Sequence, residues 1–311
     1  MRIPLALGRA ALALALLGAL AGCASVTPLV SRGDGALPPR AEVAGVPFFP
    51  QERYYCGPAA LGMALVWSGV AVEPTALVAQ VYTPGREGSL RTDLLAAARR
   101  LGRLAVPVTT TRALLGELAA GHPVVVFQNL GLGWLPQWHF AVALGYDLAA
   151  EELVLHSGVY ERHRVSLRTF ERTWARGDRW ALVILPPAVL PVTADEVAVL
   201  RAAAALERVG RPEDAAAAYT AITARWPESH AGLVGLGNAR FALADYAGAE
   251  VAFRAAVARR PDAAAGWNNL AHALARQGRR DAAIAAAREA LRLAGGQGRT
   301  YERTLREVST E

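Results

Sequence analysis

The chain has 311 residues, a length that predicts about two domains. Its composition is 53% hydrophobic and 19% charged, which argues against a disordered chain and allows a sizeable core. The net charge is +6, but the cationic residues are all arginines, and they are interleaved with glutamate and aspartate. Since no basic stripe with interleaved aromatic residues is present, the sequence argues against nucleic-acid binding.

The N-terminus reads MRIPLALGRAALALALLGALAGC, in which Arg2 and Arg9 precede an apolar run over residues 10–20. This pattern is typical of a secretory signal, and the run is short for a membrane span. The run ends in LAGC, which resembles the bacterial lipobox. The resemblance implies a lipoprotein signal peptide over 1–22 and diacylation of Cys23, which becomes the first mature residue. An ordinary secretory signal cleaved in the same region is the alternative.

The lipobox implies a lipid-anchored protein of the cell envelope. By the same resemblance, Ala24 rather than an aspartate after the cysteine implies the outer membrane in a Gram-negative organism, with the protein facing the periplasm. Disulfides can form outside the cytoplasm. If Cys23 carries lipid, however, Cys56 has no intramolecular partner. A single thiol in an oxidising compartment is expected to be buried or to be used in chemistry.

Residues 23–45 are rich in proline, glycine, serine and alanine, and they predict a tether. Residues 46–187 mix two periodicities. Helical spacing occurs in CGPAALGMALVWSG, EPTALVAQVY and SLRTDLLAAARRLG, and β-type runs occur in RLAVPVTT, HPVVVFQNL, HFAVALGY, ELVLHSG and WALVILP. HFAVALGYDLAAEELVLHSG predicts a hairpin that turns between Asp147 and Glu151. Helices come mostly before strands, which favours an α+β domain over 46–187.

After a proline-rich joint at 186–191 the composition changes to alanine-rich helix, and a repeat of 34 residues appears between Pro227 and Pro261. This shift aligns small and bulky residues: Ala215 with Ala249 and Ala283, Tyr219 with Phe253 and Ala287, and Leu236 with Leu270. The pattern resembles tetratricopeptide repeats, with three helix–turn–helix units over 194–295 and a final helix or tail over 296–311. The resemblance implies a groove for a peptide or protein partner, and a passive spacer is the alternative.

The stretch QERYYCGPAALGMAL places Cys56 in the first turn of a predicted helix. The positive end of the helix dipole and the unpaired amides there favour a thiolate, so we expect the thiol pKa to be lowered. The amide of Gln51 can donate a hydrogen bond where an oxyanion develops. The stretch therefore predicts acyl transfer to a thiol, with an imidazole from elsewhere as the base.

VPFFPQERYYCGPAALGMAL resembles the start of the C39 and C39-like cysteine peptidases, which are papain-like α+β enzymes. The resemblance covers about 46–187 and implies Gln51 as oxyanion-hole donor and Cys56 as nucleophile. It also implies that His139, in WHFAVALGYD, is the base, with His156 in VLHSG as the alternative. Together with the repeats, and without an ATP-binding motif, it suggests a lipoprotein branch of the family.

The family also has an Asp or Asn that orients the imidazole. Asp147 is eight residues beyond His139, roughly 26 Å along an extended strand, which is too far. The predicted hairpin instead returns Ser157 beside His139, at the position where the family usually has an aspartate. A serine hydroxyl can accept from an imidazole N–H but carries no charge. Asn129 in VVVFQNL is the alternative orienting residue.

The function expected from these residues is a membrane-anchored cysteine peptidase that acts on a peptide or protein substrate, with a protein partner bound by the repeats. Relatives often cut after paired small residues. The alternative is an inactive peptide-binding module on a peptidase fold, because the orienting carboxylate is missing. His122, in a turn before a strand, is expected to be structural. The spacing of histidine and cysteine forms no metal-ligand set, and no cofactor is indicated.

Overall fold

The computed structural model describes residues 37–51, 55–295 and 298–310, which form one compact unit. The predicted signal peptide and the lipidation site Cys23 lie outside the described residues. Within the described ranges, no helix combines the length and the apolar character needed to cross a membrane.

The strands and helices alternate irregularly in the first part of the chain, and only helices follow. The strands are β1 Arg40–Glu42, β2 Tyr82–Thr83, β3 Gly88–Ser89, β4 Leu104–Val108, β5 Val124–Asn129, β6 Trp138–Asp147, β7 Glu152–Ser157, β8 Tyr160–Ser166 and β9 Ala181–Leu185. The first helices are α1 Cys56–Trp67, α2 Pro74–Val81, α3 Arg91–Arg100, α4 Thr111–Ala119 and α5 Leu167–Ala175. The later helices are α6 Glu196–Arg208, α7 Pro212–Arg225, α8 His230–Ala242, α9 Tyr246–Arg259, α10 Ala264–Ala275, α11 Arg280–Ala294 and α12 Arg299–Thr310.

One antiparallel sheet organises the first part, in the order β4-β9-β5-β6-β7-β8. Strand β6 is the longest at ten residues, and its second half also pairs with β1. The β6–β7 hairpin turns between Asp147 and Glu152, which confirms the predicted hairpin. Strands β2 and β3 form a separate two-stranded ribbon.

Helix α1 lies in the core against this sheet. Every residue from Gly57 to Leu65 is buried, as expected of a helix that is apolar all round. Alternate residues of β6, Phe140, Val142 and Leu144, belong to the same cluster, because one face of a strand carries every second side chain. The core therefore fixes the start of α1 close to the start of β6.

The structure corrects part of the predicted tether. We expected 23–45 to be a linker, but β1 within it pairs with residues 145–147 of β6, and Val43 N donates to Leu144 O. The sheet thus incorporates the end of this segment. Helices α4 and α5 were not predicted, although the hydroxyls of Thr110 and Ser166 cap their N-termini.

The helices after residue 195 form three successive pairs followed by α12, as the repeat pattern predicted. The aligned alanines of α7, α9 and α11 are fully buried, and so are the rings of Tyr219 and Phe253. A Cβ on Gly235 would lie 2.3 Å from the Tyr219 ring, and one on Gly237 would lie 2.3 Å from the Phe253 ring. Small residues on one helix therefore make room for the bulky residue of the neighbouring helix.

Hydrogen bonds tie the first repeat to the α+β part. Glu117 of α4 accepts from both the amide (2.7 Å) and the hydroxyl (2.6 Å) of Thr193, and Arg211 Nε donates to Arg100 O at 2.8 Å. Helix α6 also contacts β4. The proline-rich joint is thus held at its end by a buried carboxylate.

Candidate active site

The nucleophile predicted from the sequence is the first residue of α1. Among the described residues, no side chain caps this helix, so none of them supplies a capping acceptor to its first amides. A Cβ on residue 57 would lie 2.2 Å from Ser89 Oγ, so only a glycine fits beside Cys56. The Cys-Gly pair therefore lets the ribbon β2–β3 pack directly against the start of the helix.

The pKa of the Cys56 thiol differs from the expectation. Burial raises this pKa above its usual 9.0, although the amides of Phe140, Gly57 and Cys56 itself act in the opposite direction. The prediction of a lowered pKa is therefore wrong for the free protein. The helix terminus supplies the expected amide donors, but the desolvation of a partly buried thiolate outweighs them.

His139 lines the same cleft as this thiol. It is the second residue of β6, and the amide of the next residue, Phe140, is one of those that act on Cys56. Burial lowers the pKa of His139 to about 4. At neutral pH the imidazole is thus uncharged, which is the form that can accept a proton from a thiol.

Ser157 lies against the imidazole. Its Oγ is 3.0 Å from His139 Nε2. When Nε2 carries the proton it donates to the hydroxyl oxygen, and Nδ1 is left as the acceptor that a general base needs. The structure thus places a neutral hydroxyl where an orienting group is expected.

Gln51 is buried, and it lines the same cleft as Cys56 and His139. Its backbone amide donates to Gly158 O at 3.1 Å, which ties this segment to the β7–β8 turn. Among the described residues, neither atom of its side-chain amide has a hydrogen-bond partner. A buried amide without a partner is costly, and an oxyanion in the cleft would accept a hydrogen bond from its Nε2.

The cleft has a volume of about 1010 Å³. Its aromatic wall is Phe127, stacked on Trp138 with ring centroids 5.1 Å apart. The guanidinium of Arg91 lies over Phe127 and forms an ion pair with Asp178 at 3.1 Å. The residues that line the cleft are Gln51, Cys56, Arg86, Glu87, Gly88, Ser89, Leu90, Arg91, Phe127, Pro136, Gln137, Trp138, His139, Phe140, Gly158 and Asp178.

The part of the cleft wall formed by residues 86–91 and Asp178 was not predicted. The one local signal was the turn-rich stretch YTPGREGS, and its place in the cleft depends on the packing of Ser89 on Gly57. Asp178 lies in a left-handed conformation, with φ of +59°. Such backbone conformations are enriched at functional sites.

The alternative residues lie elsewhere or are engaged. His156 is buried against Phe48, its Nδ1 accepts from Arg162 N at 3.2 Å, and it does not line the cleft. Asn129 Oδ1 accepts two backbone amides of the following loop, each at 2.9 Å. Asp147 Oδ1 accepts the amides of Ala149 and Ala150 in the hairpin turn.

The comparisons with known proteins agree with this fold. Residues 43–181 match the family model described as the Peptidase_C39 like family, and residues 200–253 and 234–298 match the tetratricopeptide repeat model. The predicted fold class is therefore confirmed as an α+β domain that matches C39-like peptidases, followed by an all-helical repeat region. No curated protein matches the chain.

Solved structures resemble each part separately. A protein from Bacillus anthracis described as a C39-like peptidase is 20% identical, covers 47% of this chain and 97% of its own, and gives a TM-score of 0.40. For the repeats, the Sgt2 domain from Aspergillus fumigatus is 18% identical and covers 38% of this chain and 79% of its own, with a TM-score of 0.37. The secretion chaperone SycD from Yersinia enterocolitica is 19% identical and covers 36% and 77%, with a TM-score of 0.33.

Proposed function

We propose that the chain is a membrane-anchored cysteine peptidase of the C39-like class. The observation that carries this proposal is that Cys56, His139 and Gln51 line one cleft, although 83 residues separate the thiol from the imidazole. A nucleophile, a base and an oxyanion donor in one cleft are the parts that peptide-bond cleavage by a thiol requires.

The pKa shifts favour a mechanism in which the proton moves from the Cys56 thiol to His139 during the attack. They disfavour a thiolate–imidazolium ion pair that exists before the attack. The thiol pKa is raised and the pKa of His139 is about 4, so both groups are neutral near pH 7. His139 takes the thiol proton as the sulfur attacks the carbonyl carbon, and it gives that proton to the amine as the C–N bond breaks. Water, deprotonated by His139, then hydrolyses the thioester left on Cys56 and releases the thiol. Gln51 Nε2 donates to the oxyanion, and Ser157 holds the imidazole.

The test is hydrolysis of peptide libraries rich in small residues by purified protein of residues 24–311. Wild type should cleave, and the Cys56→Ala variant should not. Equal cleavage by both proteins would overturn the proposal. Circular dichroism of the variant serves as the control for folding.

One observation favours a second candidate, a peptide-binding module on an inactive fold. Ser157 stands where a carboxylate would stabilise the imidazolium, and the thiol pKa is high. An inactive module would bind peptides to the cleft with equal affinity in wild type and Cys56→Ala, and neither protein would cleave them. Isothermal titration with a peptide, followed by mass spectrometry of the same sample, separates binding from turnover.

The proposed anchor is the diacylated Cys23. Metabolic labelling with palmitate should mark the wild-type protein, and Cys23→Ser should remove the label and block processing by the lipoprotein route. A labelled Cys23→Ser protein would contradict the anchor.

The proposed role of the repeats is to bind a protein or peptide partner. Asn269 Nδ2 of α10 donates to Asn238 Oδ1 of α8 at 3.0 Å, so both amides lie on one face of the first helices of successive pairs. A photo-crosslinking residue at position 238 should trap the partner, whereas one at the exposed Val251 of α9 should not. Equal crosslinking at both positions, or none, would leave the repeats as a spacer.

A further inference from the structure

The β5–β6 hairpin ends in an exposed apolar tip, residues 130–136, with the sequence LGLGWLP. Trp134 is 79% exposed, Leu135 is 62% exposed and Leu132 is 57% exposed. Each of these side chains has a large apolar surface. Soluble proteins rarely expose several such side chains together unless the patch binds a partner or a membrane.

The tip is a hydrogen-bonded structure. Leu132 and Leu135 exchange backbone hydrogen bonds at 3.0 and 3.2 Å, and the side chain of Asn129 accepts from Gly131 N and Gln137 N. A Cβ on Gly131 would lie 2.4 Å from Leu135 O, so a glycine is required there. The fold thus holds the tip in one conformation that exposes its apolar side chains.

A second exposed apolar pair lies at the same end of the sheet. Val159 and Tyr160 are exposed at the β7–β8 turn, and this turn follows Ser157, which contacts His139 at the start of β6. The apolar tip leads directly into the start of β6. The two loops therefore flank the cleft.

The exposed side chains do not line the cleft itself. Pro136, Gln137 and Trp138 line it, whereas Leu132, Trp134 and Leu135 do not. The segment from 130 to 138 contains no charged residue, and Arg176 lies at its base, where Nε and Nη2 donate to Asn129 O at 3.2 and 2.9 Å. A convex apolar tip with tryptophan at its end and arginine at its base suits the interface of a lipid bilayer, since Trp prefers that interface and Arg attracts anionic headgroups.

The length of chain outside the described fold permits this contact. The described part of the chain begins beside the last residue of β6, since Arg40 pairs with Asp147. The apolar tip precedes the first residue of β6, and the ten residues of this strand span roughly 33 Å. The 14 steps from residue 23 to residue 37 can reach roughly 46–50 Å when fully extended. An anchor at Cys23 therefore leaves enough chain for the tip to touch the same bilayer.

We propose that the apolar tip is a second membrane contact, which seats the mouth of the cleft at the lipid surface. One consequence of this contact rests on the proposed function: the substrates would be peptides at the membrane surface. The contact itself requires neither acylation nor catalysis.

The experiment is co-sedimentation of the unacylated chain, residues 24–311, with sucrose-loaded vesicles. This chain keeps the whole compact unit that begins at Leu37. One set of vesicles is phosphatidylcholine, and the other is phosphatidylethanolamine and phosphatidylglycerol. Wild type should pellet with both, and more with the anionic set. Trp134→Ser/Leu135→Ser should lower the partition coefficient by roughly tenfold or more, because both side chains lose their apolar contact with lipid.

Val197→Ser/Val251→Ser is the matched control, since it removes two exposed apolar side chains of the repeats and should pellet like wild type. Cys56→Ala should also pellet like wild type, so that a failed peptidase assay does not affect this result. Wild type that stays in the supernatant, or a tip variant that pellets equally, would overturn the proposal. Loss of peptide cleavage in the tip variant, without vesicle binding by wild type, would assign the tip to the substrate instead.

Discussion

Two histidines of the α+β part have partners of different chemistry. His122 Nδ1 lies 2.7 Å from the fully buried carboxylate of Glu117, at the junction with the repeats. His139 Nε2 lies 3.0 Å from the neutral hydroxyl of Ser157, in the cleft. The protein thus places its imidazole–carboxylate pair where it stabilises the fold, and it leaves the imidazole of the cleft with a neutral partner and a pKa of about 4. A hydrogen-bond partner for a histidine therefore does not by itself indicate a catalytic site. A nucleophile and a cleft must accompany the histidine.

The largest expected effect comes from removing the proposed nucleophile and base. Cys56→Ala should abolish peptide cleavage, and His139→Ala should cost nearly as much, because residues that act as a unit are not additive. The matched change His122→Ala should leave turnover at 25 °C unchanged. Initial rates on one peptide check all three variants. A large loss of turnover in His122→Ala would contradict the division between the two histidines.

Removal of the proposed oxyanion donor should have the next largest effect. Gln51→Ala should lower turnover by about 10²–10³, the typical cost of removing one such donor. Gln51→Glu should be at least as damaging, because a carboxylate repels an oxyanion. Steady-state kinetics should show the loss in kcat. An unchanged kcat in both variants would mean that the unpartnered amide of Gln51 has no role in the reaction.

On the structural side, Glu117→Ala should destabilise the fold by about 3 kcal/mol, because it leaves His122 and Thr193 without their buried partner. Urea unfolding measures this, with Glu228→Ala as the control, since Glu228 pairs with Arg259 on the surface. Burial alone would raise the pKa of Glu117, but the hydrogen bonds from His122 and Thr193 outweigh it and lower that pKa. The contribution to stability is therefore present above pH 4.5 and should be lost as the pH falls through the lower pKa of the folded state.

The pH profile tests the neutral partner of His139. Cleavage by wild type should fall as the pH drops through about 4, where the imidazole becomes protonated and can no longer act as a base. Ser157→Asp should stabilise the imidazolium and raise the pKa of His139. The pH at which cleavage falls should therefore rise by at least about one unit, equivalent to about 1.4 kcal/mol. If cleavage by Ser157→Asp falls at the same pH as in wild type, residue 157 does not contact the base during turnover.

The smallest effects should come from the ends of the β6–β7 hairpin. Ser157→Ala should lower turnover by less than about tenfold, in keeping with one neutral hydrogen bond. Asp147→Ala should leave turnover unchanged, because Asp147 binds the amides of the turn at the opposite end of β6. The same peptide assay measures both. A loss in Asp147→Ala as large as that in His139→Ala would contradict the register of the hairpin.

The sequence by itself determined the features that repeat over short distances. The 34-residue shift identified the helix pairs, because each repeat packs only on its neighbours. Short apolar runs of β type predicted β6 and β7, and the turn predicted between them placed Ser157 beside His139. The family resemblance pointed to Gln51 and Cys56, which lie five residues apart.

The tertiary structure decided the features that depend on distant segments. Pairing of β1 with β6 converted the end of a linker into a strand, and packing of Ser89 on Gly57 made residues 86–91 a wall of the cleft. The direction of the Cys56 pKa shift depended on how deeply the thiol is buried, which the helix terminus alone does not specify. The exposure of Trp134 was likewise decided by the fold, because an apolar run after a strand fits a buried core as well as an open tip. Burial is a property of the whole packed chain, and local periodicity cannot encode it.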